Sequence, residues 1–265
     1  MPKKDEVKLG KQGVGLTLKV LAAIDKEVSN LFESLVKSFV GPIPSLKNKK
    51  NILFTPGRLN FGNLFVTALG GITPNQHERE QFKMMLISLH EYIQALKSRT
   101  KARVVSDLNA YLKEDRDQDD IKEMLKENFD RAKNELNVIV NAGSNEIRNR
   151  GTALKILRVA KTVQDEDPTV YFSVIVDERN DPETYRLHLL PDRKTPRTYK
   201  LSEIENTYHK KGDKWPKIHG TNPNCRCTLQ YLPPGYGFNK NGHLQYKSKD
   251  WNELKHQRDT YGLPQ

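Results

Sequence analysis

The sequence predicts an α+β protein: long N-terminal helices packed as a helical region, then a small mixed C-terminal domain of short strands and long loops. Two observations carry this. Apolar residues recur at helical spacing through much of residues 16–160, and beyond Asp165 the texture shifts to β-branched and aromatic runs broken by proline and glycine. Hydrophobic residues make up 36% of the 265 and charged residues 29%, a balance that suits a helix-rich chain with much exposed surface. No apolar run approaches the roughly 18 residues of a membrane span. The opening MPKKDEVKLGKQ is polar, with no apolar stretch behind it, so neither a membrane helix nor a secretory signal is expected. Two cysteines exclude a disulfide scaffold and point to a reducing compartment.

Residues 1–15 read as a basic flexible arm ending in GKQGVG. Residues 16–73 read as an N-terminal helix and loop region. Ile24, Val28, Leu31, Phe32, Leu35, Val36 and Phe39 form one apolar stripe, and Gly41, Pro42 and Pro44 stop the helix. Residues 51–73 mix short apolar pieces with Gly and Pro and give no assignment. Residues 74–165 read as a helical domain. Phe82, Met85, Leu86, Leu89, Ile93 and Leu96 mark one helix, and Val104, Val105, Leu108, Tyr111 and Leu112 resume its pattern. The acidic cluster at 114–120 interrupts it, with Asp119 or Asp120 as N-cap of the next helix. Ile121, Leu125, Phe129, Ala132, Leu136 and Ile139 mark that helix, which extends past Gly143 towards Val159. Such stripes predict packing between antiparallel helices. Residues 166–235 read as the α+β domain, opening with the strand TVYFSVIV at 169–176. Residues 236–265 read as a polar tail, with 247–257 forming a last short helix or a docking segment.

Net charge is +11, and it sits at the ends. Residues 1–50 carry ten Lys/Arg against five acids, residues 51–176 carry 18 against 17, and residues 177–265 carry 16 against 11. Basic ends on a neutral body suit contact with a polyanion, and also suit simple solubility. Lys3, Lys4, Lys8, Lys11, Lys47, Lys49 and Lys50 are the candidate DNA-contacting residues. No phosphate-binding glycine loop, dinucleotide fingerprint, nucleophile elbow or HExxH is present.

The concentrated chemical signal is the stretch from Trp215 to Leu229, which holds both cysteines, Cys225 and Cys227. A disulfide across C-x-C is strained. As thiolates the pair suits zinc, completed by His219 and a distant histidine, although the usual spacing is C-x(2–4)-C and a second cysteine pair is missing. The other reading is two small buried residues packing a turn.

The run Asn222-Pro223-Asn224-Cys225-Arg226-Cys227-Thr228-Leu229 resembles the H-P-N-C-R-C-T signature of phage Mu F-like minor head proteins, the head-morphogenesis family. Asp177-Glu178-Arg179-Asn180-Asp181-Pro182-Glu183-Thr184-Tyr185-Arg186-Leu187-His188 is similar to that family's D-E-R-T-C-P-x-C-x-x-L-H segment. The upstream helix with Asn141, Glu146, Asn149, Arg150 and Gly151 is similar to the family's helix entering the preceding strand. Together these cover about residues 136–232. Two positions depart: the family's C-P-x-C is Asp181-Pro182-Glu183-Thr184, and the histidine expected before Pro223 is Asn222, with His219 three residues earlier. Asp181, His188 or His219 remain as substitute ligands. The preferred reading is a structural loop without cofactor, with structural zinc on Cys225, Cys227, His219 and His188 as the alternative.

The resemblance implies a structural virion component and no enzyme: a minor head protein at or near the portal vertex, present in the host cytoplasm during assembly. Its implied partners are the portal protein, the major capsid or scaffolding protein, and packaged viral DNA held without sequence preference, with no membrane. Two other readings are a DNA-processing or group-transfer enzyme and a stand-alone nucleic-acid-binding module. The best catalytic constellation is Asp177 and Glu178 with His188 and His219, and adjacent acids on an extended strand end point to opposite faces.

Overall fold

A computed structural model describes residues 18–39, 61–178, 181–207, 209–221 and 225–262. Lys3, Lys4, Lys8, Lys11, Lys47, Lys49, Lys50, Arg179, Asn222, Pro223 and Asn224 lie outside the described residues. The fold is α+β. Four helices come first: α1 (Leu18–Phe39), α2 (Phe61–Ala68), α3 (Gln76–Lys113) and α4 (Gln118–Thr162). The smaller part follows as β1 (Thr169–Ser173), α5 (Pro182–His188), β2 (Thr198–Lys200), β3 (Thr228–Tyr231), β4 (Tyr236–Phe238), β5 (Leu244–Tyr246) and α6 (Glu253–Tyr261).

The two long helices begin at side-chain caps. Asn75 Oδ1 accepts from Glu78 N–H at 2.9 Å while the Glu78 carboxylate accepts from Asn75 N–H at 2.8 Å, a reciprocal box that fixes the start of α3. Glu78 is also ion-paired with Arg158 of α4. The cap of α4 is Asp117, two to three residues earlier than the sequence suggested. Its Oδ1 accepts from both Asp119 and Asp120 N–H, which leaves those two acids in the first turn.

Phe82, Met85, Leu89, Ile93 and Leu96 of α3 face Ala132, Leu136 and Val140 of α4, with Val28 and Phe32 of α1 and Phe65 of α2 completing one core. The buried stripe of α4 is Met124, Asn128, Ala132, Leu136 and Val140. Ile121, Leu125, Phe129 and Ile139, expected as core, flank it half-buried. Asn128 is tolerated inside because its amide donates to Asp107 at 2.8 Å. Helix α2 occupies part of the stretch that gave no assignment. It packs on α4 where Gly151 lets the backbones approach: a Cβ there would stand 2.7 Å from that of Ala68.

The three-stranded sheet has order β2-β1-β3, antiparallel throughout, with Phe172 opposite Leu229 and Val170 opposite both Tyr199 and Tyr231. β1 stops at Ser173, three residues short of the expected strand end, and Ile175 and Val176 are exposed. Its core joins Val170, Phe172, Tyr199, Ile218 and Leu229 to Ile156 of α4, so α4 contributes to both cores. Residues 236–261, read from sequence as polar tail, fold back. β4 and β5 form a hairpin, Phe238 meets Tyr171 edge-on at 5.1 Å, and α6 buries Leu254 and Gln257.

Candidate functional site

Residues 142–147, 149 and 151 of α4 are all buried, which is unusual for a helix this polar. The cause is a sandwich: α2 and α3 cover one side, and β3 with Ile218 and Cys225–Cys227 covers the other. Asn145 donates to the Cys225 carbonyl. Asn149 donates to the Ile218 carbonyl at 3.0 Å and more weakly to that of Cys227 at 3.5 Å, and its Oδ1 accepts from Leu229 N–H at 3.1 Å. Two amides one helical turn apart therefore hold the cysteine segment by its backbone.

The side chains of that segment turn towards α5. Asp181 caps α5 by accepting from Thr184 N–H at 2.8 Å, Pro182 supplies the first helical position, and seven residues bring His188 to the end. The Tyr199 hydroxyl donates to the Leu187 carbonyl, fixing that end against β2. Thr184 and Thr221 share a hydroxyl hydrogen bond at 2.7 Å, tying α5 to the loop before Cys225. The His188 ring lies flat on Phe172, centroids 4.3 Å apart and planes within 10°. It is fully buried, and among the described residues neither ring nitrogen has a hydrogen-bond partner. A donor atom from each of His188, Cys225 and Cys227 lies within 4.8 Å of the others.

The two thiols are free, buried and unequal. Cys227 donates its proton to the Cys225 sulfur, and the backbone and hydroxyl of Thr221 also favour the Cys225 thiolate. These bonds outweigh burial and pull Cys225 down to about 6. Donating to Cys225, together with burial, holds Cys227 far above the ordinary thiol value. Burial pushes His188 down to about 3, keeping the imidazole neutral.

His219 does not join this cluster. Its Nδ1 lies 3.4 Å from Glu146 Oε2, and Glu146 Oε1 lies 3.3 Å from Arg150 Nε. Proximity in sequence to Cys225 favoured His219, but its ring lies beside the α4 carboxyl, outside the group formed by His188 and the two cysteines. Asp177 is likewise engaged: both its oxygens accept from Arg226, at 2.6 and 2.7 Å. Glu178 is exposed. The sequence-derived constellation of Asp177, Glu178, His188 and His219 is thus dispersed over separate partners. Cys225 and Cys227 are buried with the more exposed Arg226 between them, an alternation of extended chain, although the ladder begins only at Thr228. Sequence reasoning did not single out Asn145 or Thr221.

Glu146 provides a test by pH. Burial raises its carboxyl from 4.5 to about 7 against the opposing charge of Arg150. Between those values the folded protein keeps a proton that the unfolded chain has lost, so stability falls as pH rises through this window. His219, lowered from 6.5 to about 4 by burial and then Arg150, works oppositely: its contribution is lost as pH falls from 6.5. Between about 4.5 and 6.5 the two offset each other. Glu146→Gln should therefore gain stability relative to wild type on going from pH 6 to pH 8, by about 1.3 kcal/mol. His188 titrates alike in both proteins and drops out of the difference. Urea unfolding at the two pH values reads it; an unchanged difference would mean that Glu146 is already ionised at pH 6.

Compared with known protein families, curated proteins and solved structures, the chain matches none.

Proposed function

We propose that this chain is a minor structural component of a virus head, associated with the portal and contacting packaged DNA. The observation that carries the proposal is a convergence. The three stretches that resemble the Mu F-like head-morphogenesis family, separated by tens of residues, meet in one place. The helix stretch supplies Asn149, the second stretch supplies Asp177 and His188, and the third supplies Cys225, Arg226, Cys227 and Leu229. Residues quoted for a resemblance have no reason to share a site unless the motif describes one structural unit. The polar members engage each other: Asp177 and Arg226 form an ion pair through both carboxylate oxygens, and the buried Glu146 carboxyl lies between Arg150 and His219. Such mutual engagement favours an architectural role over catalysis.

The basic ends support the DNA contact. Each terminal region carries a surplus of five positive charges around a nearly neutral middle, and phosphate contacts need no sequence readout. Quantitative mass spectrometry of purified particles tests the role. A few to a few dozen copies per particle is the expected result, and absence from particles overturns it. DNA affinity should fall steeply with salt, and deleting residues 1–11, which removes Lys3, Lys4, Lys8 and Lys11, should flatten that dependence. An unchanged slope would remove the arm from the DNA interface.

A further inference from the structure

We propose that His188, Cys225 and Cys227 form a binding site for a thiophilic divalent cation, with zinc the best match. The proposal rests on these three side chains and does not depend on the virion reading.

The first ground is the donor set. Two sulfurs and an imidazole nitrogen are a combination zinc prefers. The second is geometry. Tetrahedral zinc with ordinary bond lengths sets its sulfur and nitrogen ligands about 3.6 Å apart. The three donor atoms already lie within 4.8 Å of one another. Small side-chain rotations close that difference, with no movement of α5 or β3.

The third ground is the state of His188. A buried imidazole usually donates one ring N–H and accepts at the other nitrogen. Among the described residues His188 does neither, although it is fully buried and lies flat on Phe172. A histidine kept merely to fill space would be better replaced by an apolar residue, since an unpaired polar group inside a protein costs stability. A metal bond from the nitrogen facing the sulfurs removes that cost at one ring atom. Asp181 stands at the other end of α5, and its charge acts on both His188 and Cys227. Its carboxylate caps α5 and stands outside the three-donor group, which leaves the fourth position to a water.

The surroundings are built to hold such ligands still. Asn145 fixes the Cys225 carbonyl and Asn149 that of Cys227, while the Thr184–Thr221 bond anchors α5 to the same loop. Support of ligands by a hydrogen-bonded shell is what a structural metal site requires. The spacing C-x-C, narrower than the usual zinc knuckle, is accommodated because the third ligand comes from another element, 37 positions earlier in the chain.

The full chain, produced in zinc-supplemented medium and purified without chelators, should carry one zinc per chain by elemental analysis. Stripped protein titrated with cobalt(II) should develop the thiolate charge-transfer band and the visible bands of a tetrahedral site. This readout needs no variant and survives any folding defect of one. Restoring zinc should raise the melting temperature by about 5 °C or more. His188→Gln and Cys227→Ser should abolish stoichiometric binding, whereas His219→Gln should keep it. Wild-type protein that stays folded, carries no zinc, gives no thiolate–cobalt band and melts unchanged with added zinc would overturn the proposal in favour of a metal-free packed turn. Loss of zinc in a folded His219→Gln protein would overturn the ligand assignment.

Discussion

Replacing Asn149 with alanine should cost about 3–5 kcal/mol of folding stability, because three buried backbone groups lose their partner at once. The sheet order β2-β1-β3 leaves β3 at an edge, and its Leu229 N–H points away from β1. An unpaired edge donor inside the protein is expensive, and Asn149 answers it from α4 while its amide holds the Ile218 and Cys227 carbonyls. Water cannot replace the amide easily, since the residue is 1% exposed. Asn149→Asp should be no better. It keeps an acceptor for Leu229 but cannot donate to the two carbonyls, and it buries a charge. Asn134→Ala, on the exposed face of the same helix, is the control and should change stability by less than about 0.5 kcal/mol. Chemical denaturation measures all three. A loss below about 1 kcal/mol for Asn149→Ala would show that α4 and the sheet are held by apolar packing alone.

That expectation also explains what the sequence made legible. Helices α3 and α4 were readable because Phe82, Met85, Leu89, Ile93 and Leu96, and then Ala132 and Leu136, repeat at the period of a helix burying one face. Helix α2 was not. Its eight residues are too few to show a period, and Phe61, Phe65 and the following Leu69 sit in an apolar stretch punctuated by glycine and proline. The polar residues Asn145, Glu146 and Asn149 carry no apolar period, yet in the fold they are covered by chain some 80 positions later. Burial of this kind is satisfied by hydrogen bonds and leaves no hydrophobic signature.

The candidate site shows the same division. Cys225 and Cys227 are conspicuous in any reading, as the only cysteines of the chain. The choice between His188 and His219 was not accessible, because the distance along the chain favours the wrong one. His219 is six positions from Cys225, yet it faces Glu146. His188 reaches the sulfurs because α5 has a fixed start at Asp181 and its last residue lies over Phe172. Helix length and strand register decide the contact, and neither is printed in a motif.

Gln257→Ala should be the second large loss, about 2–4 kcal/mol, for a reason that mirrors Asn149 at the opposite edge of the sheet. The outer strand there is β2, and Thr198 N–H donates to Gln257 Oε1 at 3.0 Å, with the Thr198 hydroxyl donating to the same oxygen at 3.2 Å. The Gln257 amide donates to the Pro196 carbonyl at 2.9 Å and to Glu253 Oε1 at 3.1 Å. All of this is sealed from water, with Gln257 at 0% exposure. Each edge of a three-stranded sheet is thus closed by one carboxamide from a helix, and α6 belongs to the domain although its sequence reads as tail. Gln257→Glu separates shape from donor chemistry: the carboxylate still accepts from Thr198 but meets the Pro196 carbonyl and Glu253 without a proton to offer. It should lose at least as much as the alanine variant at pH 7. Limited proteolysis supplies the local readout. In wild type the folded hairpin and α6 should resist cleavage at Lys247 and Lys249, and in Gln257→Ala these sites should open while α3 and α4 stay intact. Equal cleavage at these sites in both proteins would mean that α6 is not anchored through Gln257.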